Sequence, residues 1–185
     1  MTCIVAMIDE QGNAWIGGDR ACGDDGMTLP HPKVWMAGGA LLGLSGDSVL
    51  YWALRHGDAP IREKGQHPME WLSMFLAPWV QRKAQDAGVW VGRGSGGTRG
   101  WEGCLVVAVP EGIFRINNDA GVDAYARRWY SNVFSAEGAL CLMHDHDKWP
   151  TTSRERVLYA LVTASGVNPT EVRPPFDILT TRGNT

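Results

Sequence analysis

The chain has 185 residues, 44% of them hydrophobic and 20% charged, a balance ordinary for a globular protein able to bury roughly 70% of its unfolded surface. Seventeen Lys and Arg against 20 Asp and Glu leave a formal charge of -3, and the cations do not cluster, which argues against a nucleic-acid partner. No apolar run approaches the ~20 residues of a membrane helix, and no basic-apolar-small leader opens the sequence, so the expectation is no membrane partner, no secretion and a cytoplasmic location.

In chain order, residues 3–8 read as a buried strand, Gln11-Gly12-Asn13 as a turn, and residues 14–18 as the returning hairpin strand. Residues 22–32, rich in Gly, Asp and Pro, form a loop. Residues 33–36 and 40–45 make a second hairpin around Gly38-Gly39. Asp47 is a suitable N-cap for a helix over residues 48–56, with Val49, Trp52 and Ala53 on one side. Pro68 suits the first turn of a further helix whose buried face is Trp71, Leu72, Phe75 and Leu76, continuing to Ala87 with Pro78 kinking or dividing it. Strands follow at residues 89–91, 104–109 and 113–116, the first two separated by a glycine-rich hairpin loop over residues 92–103. Helical spacing resumes at residues 136–146 and 153–165, and residues 176–179 form a last strand. Strands at both ends, helices between them and no internal repeat point to one helix-sheet-sheet-helix unit.

Several motifs tempt without their required context. Gly92-Arg93-Gly94-Ser95-Gly96-Gly97 satisfies a dinucleotide-binding pattern, but no helix follows it. His144 and His146 are two apart, so they do not share a helix face, and no third ligand cluster accompanies them. Ser45 in Gly43-Leu44-Ser45-Gly46-Asp47 narrowly misses the G-x-S-x-G elbow. The four cysteines, Cys3, Cys22, Cys104 and Cys141, are scattered and read as reduced thiols. Nine tryptophans suit an aromatic-rich core or a subunit interface.

The opening, Met1-Thr2-Cys3-Ile4-Val5, carries the chemistry. Removal of a starter Met before a small residue would expose Thr2, whose hydroxyl can attack while its own α-amine, with a reference pKa of about 7.7–8.0, takes the proton. A neutral hydroxyl is a poor nucleophile, and a nearby ammonium favours the developing alkoxide; Lys33 could supply it and Asp19 could hold that lysine charged. Thr2-Cys3-Ile4-Val5, Gly17-Gly18-Asp19, Pro32-Lys33-Val34 and Leu42-Gly43-Leu44-Ser45-Gly46-Asp47 arrive in an order that resembles the proteasome-type N-terminal-nucleophile (Ntn) hydrolases. The likeness extends to the proteolytic subunit of the bacterial two-component protease, the proteasome β subunit, and small phage and bacterial relatives. It implies an α+β, four-layer αββα sandwich over residues 1–185.

The resemblance also implies roles. Thr2 is the nucleophile, Asp19 pairs with Lys33, and the amide of Gly46 holds the oxyanion. The family's Gly-Ser-Gly segment has no full counterpart: in Asn132-Val133-Phe134-Ser135-Ala136, Ser135 is either the family serine displaced by one residue or a helix cap. The expectation is a threonine-type endopeptidase acting on peptide or unfolded-protein substrate, with no cofactor and no metal. It would work within a homo-oligomeric ring in a bacterial or phage-infected cytoplasm, served by an ATP-driven (AAA+) unfoldase. The alternatives are an inactive structural ring component of the same fold and a small-molecule amidase.

Overall fold

The computed structural model describes residues 2–22, 27–93, 98–132 and 152–181. The apolar opening becomes β1 (Ile4–Ile8), buried at every position, and it pairs antiparallel with β2 (Ala14–Gly18) across the expected turn. A strand that is apolar on both sides must be covered on both faces, and that need sets the architecture. β1 and β2 sit at the centre of a four-stranded sheet ordered β12 (Trp129–Ser131), β1, β2, β13 (Asp177–Thr180). The second hairpin, β5 (Val34–Ala37) and β6 (Ala40–Gly46), joins β9 (Gly103–Val109), β10 (Gly112–Ile116) and β11 (Val122–Tyr125) in a five-stranded sheet ordered β11-β10-β9-β6-β5. Two short ribbons, β3 (Ala21–Cys22) with β4 (Met27–Thr28) and β7 (Val91–Arg93) with β8 (Thr98–Gly100), stand apart from the two sheets.

The sheets pack face to face. Ile4, Ala6 and Ile16 meet Val34, Leu41, Val106 and Ala108 between them, all buried. Each fully buried aliphatic side chain contributes about 1.5–3 kcal/mol relative to exposure. Gly43 makes the close approach possible, because a Cβ there would lie 2.8 Å from Ile4 and 3.0 Å from Ile16. Outside the five-stranded sheet lie α1 (Ser48–Arg55), α2 (Pro68–Trp71) and α3 (Ala77–Asp86), over a layer rich in tryptophan: Trp35, Trp71, Trp79 and Trp101 are all buried in it. Outside the four-stranded sheet lies α4 (Ser153–Val167), packed through Val157, Ala160, Leu161 and Ala164 on Val5 and Met7. The order is helix, sheet, sheet, helix, as the sequence led us to expect.

Several details differ from the sequence reading. Asp47 caps α1 as expected, accepting from the amides of Val49 and Leu50, but the buried residues are Leu50, Tyr51 and Leu54, while Val49 and Trp52 are exposed. Helical spacing admits either face; a layer of aromatic partners decides in favour of the Leu–Tyr–Leu side. Phe75 is likewise exposed, although Trp71, Leu72 and Leu76 are buried. Between α2 and α3 the helix runs through one wide π turn, Leu72–Leu76, with the Ala77 amide reaching back to the Leu72 carbonyl. That turn stands directly before Pro78, whose ring would collide with the carbonyl four residues earlier in a regular helix. Part of the 92–103 segment is strand β8, and β11 and β12 were not anticipated. The helix expected at residues 136–146 and the His144/His146 pair fall outside the described residues.

Candidate active site

Thr2 lies just before β1, Asp19 just after β2, Lys33 just before β5, and Gly46 at the end of β6. Four strand ends therefore converge at one edge of the sandwich. Lys33 Nζ donates to Thr2 Oγ1 at 3.0 Å and to Asp19 Oδ1 at 3.2 Å, and it also donates to the Ala21 carbonyl. Three acceptors around one nitrogen use all three protons of an ammonium, whereas a neutral amine has two. Burial of Lys33 lowers its pKa below the ordinary value of 10.5, and the Asp19 carboxylate opposes that shift. Asp19 is fully buried and is held in turn, since Oδ1 accepts from the Cys3 amide at 2.9 Å and Oδ2 from the Ala21 amide at 2.8 Å. The carboxylate thus ties the segment leading into β1 to the start of β3.

Neighbouring groups fix the rest of the frame. The Tyr51 hydroxyl donates to the Pro32 carbonyl at 2.6 Å, pinning the residue before Lys33. Arg20 grips Asp177 through Nε at 2.7 Å and Nη2 at 2.6 Å, which secures the chain leaving Asp19 against β13. Cys3 is not a rival nucleophile: burial first, then the Asp19 carboxylate, pushes its thiol up to about 12, and its side chain packs under α4.

Asn132 is the residue that sequence reading missed as a contributor. Its Nδ2 donates to the Thr2 carbonyl at 2.6 Å and its Oδ1 accepts from the Ile4 amide at 2.6 Å. It follows β12, and the strand character of Trp129-Tyr130-Ser131 was the one available signal. This clamp fixes the backbone on either side of Cys3, from the Thr2 carbonyl to the Ile4 amide.

Gly46 lines the same cavity as Thr2 and Lys33, an opening of about 530 Å³ also bounded by His31, Ser45 and Tyr51. Its φ of 135° lies in the region that favours glycine, and a Cβ would fall 1.9 Å from the Glu102 carbonyl oxygen. The backbone therefore demands glycine at this position whatever its chemistry. Ser135 lies outside the described residues. Among those residues no cluster of His, Cys, Asp and Glu could hold a metal, and no helix is long and apolar enough to cross a membrane.

The two stacked sheets, the helices outside them and the convergence of strand ends on residue 2 define the proteasome-like Ntn-hydrolase fold. No family model and no curated protein matches the sequence. Solved structures do match in three dimensions. Thiobacillus denitrificans BPH in complex with epoxomicin superposes with a TM-score of 0.72 at 13% identity, covering 96% of this chain and 97% of that one. HslV from Trypanosoma brucei follows with a TM-score of 0.61 at 14% identity, covering 96% and 98%. The Anbu complex from Pseudomonas aeruginosa, determined as a helical assembly, gives 0.60 at 12% identity, covering 97% and 80%.

Proposed function

We propose that the chain is a threonine-type peptidase subunit, a single proteasome-like unit over residues 1–185, with Thr2 as nucleophile once Met1 is removed. The observation that carries this reading is the Lys33 ammonium 3.0 Å from Thr2 Oγ1, itself paired with buried Asp19 at 3.2 Å. In the mechanism, Thr2 Oγ1 attacks the carbonyl carbon of a peptide bond while its proton passes to the α-amine. Lys33 stabilises the developing alkoxide, and the Gly46 amide holds the oxyanion. The tetrahedral intermediate collapses by breaking the C–N bond, and the leaving amine takes the proton from the α-ammonium. Water, with the α-amine as base, then hydrolyses the ester on Thr2 and releases the acid. Asn132 positions the nucleophile through its backbone and touches no reacting atom.

The fold neighbours support a homo-oligomer, since one of them is a helical assembly; the ring, its unfoldase partner and a cytoplasmic setting belong to the same proposal. The test is intact-mass measurement of native material after exposure to epoxomicin, the compound bound in the Thiobacillus structure. The expected result is a chain lacking Met1 and carrying one inhibitor on Thr2, with no adduct and no peptide cleavage in Thr2→Ala. Retention of Met1 without an adduct would favour the inactive structural component. Equal peptide cleavage by wild type and Thr2→Ala would remove the threonine mechanism.

A further inference from the structure

The cleft at Thr2 does not end at Ser45. A second opening of about 770 Å³ shares Ser45 and reaches Asn132, the residue that clamps the Thr2 carbonyl. Its walls come from the ends of β9 to β12 and include Cys104, Arg115, Tyr125, Trp129 and Tyr130. We infer that this opening is a carboxylate-binding subsite, anchored by Arg115, for a substrate whose reacting bond lies at Thr2; the inference rests on the peptidase reading above.

The strand register sets the direction. On β10, Ile113 faces the core between the sheets, and Arg115, two residues on, faces the same way at the open edge. A guanidinium pushed toward an intersheet gap needs an anion. The protein supplies only part of one. Asp123 accepts from Arg115 Nη2 at 3.0 Å, yet its side chain is 49% exposed and is shared with Asn117 Nδ2 at 2.9 Å. Tyr130 also shares a hydrogen bond with the guanidinium, but a neutral hydroxyl brings no compensating charge. Arg115 Nε is buried with no hydrogen-bond partner among the described residues. That nitrogen faces the protein, so an incoming anion meets the outer part of the guanidinium, whose side chain is 35% exposed.

The surroundings suit an anion as well. Among the described lining residues none is acidic, whereas the first opening carries Asp47 and Glu102. Burial raises the pKa of Tyr130 and Tyr125, so both stay neutral and add no negative charge to the opening. The outer Nη protons of a planar guanidinium can face the two oxygens of a carboxylate as a fork. Such a group reaches the site either as the free C-terminus of a short peptide or as an Asp or Glu side chain.

Binding measured on Thr2→Ala separates this subsite from catalysis. Fluorescent hexapeptides are compared by anisotropy in two arms: a neutral sequence ending in a free carboxylate against its amide, and an amide-ended sequence with an internal Glu against Gln. The expected result is binding about tenfold tighter for the carboxylate member of one arm, which also identifies the source of the carboxylate. Arg115→Met should bring that ratio close to one, and Arg115→Lys, which keeps charge without the fork, should retain part of it. Should Arg115→Met fail to fold, the Lys variant still reads the fork geometry. Equal affinities in both arms, or a preference that survives Arg115→Met or is undiminished in Arg115→Lys, would overturn the inference. Absence of cleavage by wild type alongside a preserved preference would instead count against the peptidase reading alone.

Discussion

In the proposed mechanism Lys33 sets the chemistry at the scale of single residues, because its charge state would decide whether Thr2 is activated. The rate should rise as the α-amine loses its proton, near its reference range of about 7.7–8.0. It should fall again on the alkaline side as Lys33 becomes neutral. Because burial lowers the Lys33 pKa, that descending limb lies below the ordinary 10.5. A pH profile of kcat/KM on a fluorogenic peptide checks this, and a rate still climbing past the ordinary lysine value would contradict it. Asp19 is the structural counterweight. Asp19→Ala strands a buried ammonium and orphans the amides of Cys3 and Ala21, so urea unfolding should show a loss of about 3–5 kcal/mol. The order of Thr2, Asp19, Lys33 and Gly46 was legible along the chain through its resemblance to the Ntn hydrolases, and the structure puts each near a strand end. Asn132 was not, since a clamp formed across 130 residues leaves no local pattern.

Elements differ in how far their sequences specify them. The β1–β2 and β5–β6 hairpins follow directly from apolar runs broken by glycine turns. α4 also declares its start, with Thr152 and Glu155 closing a reciprocal capping box. By contrast, β11 carries exposed and half-buried positions in a polar segment, and only pairing with β10 makes it a strand. Two glycines test the difference between tight and free positions. Gly46→Ala forces a Cβ into the Glu102 carbonyl at a positive φ and should cost about 1–3 kcal/mol, along with activity. At Gly166, inside α4, an added Cβ would meet nothing within 4 Å, so Gly166→Ala should stabilise by roughly 0.5–1 kcal/mol. Thermal melts of both variants read the two signs in one experiment.

The whole molecule is two sheets that share one interior and carry unlike coats. The sandwich could be anticipated from strands at both ends and helices between; the split of the helices, three on one face and α4 on the other among the described residues, is set by which sheet each apolar face covers and leaves no local pattern. The coats also differ optically. Among the described residues Trp35, Trp71, Trp79 and Trp101 crowd beneath α1–α3, while the α4 side holds Trp129 and half-buried Trp15. Intrinsic emission is therefore a lopsided reporter, weighted toward one half of the body. If that half loosened ahead of α4, fluorescence would change at a lower denaturant concentration than the far-ultraviolet helix signal; coincident curves would mean that both halves come apart together.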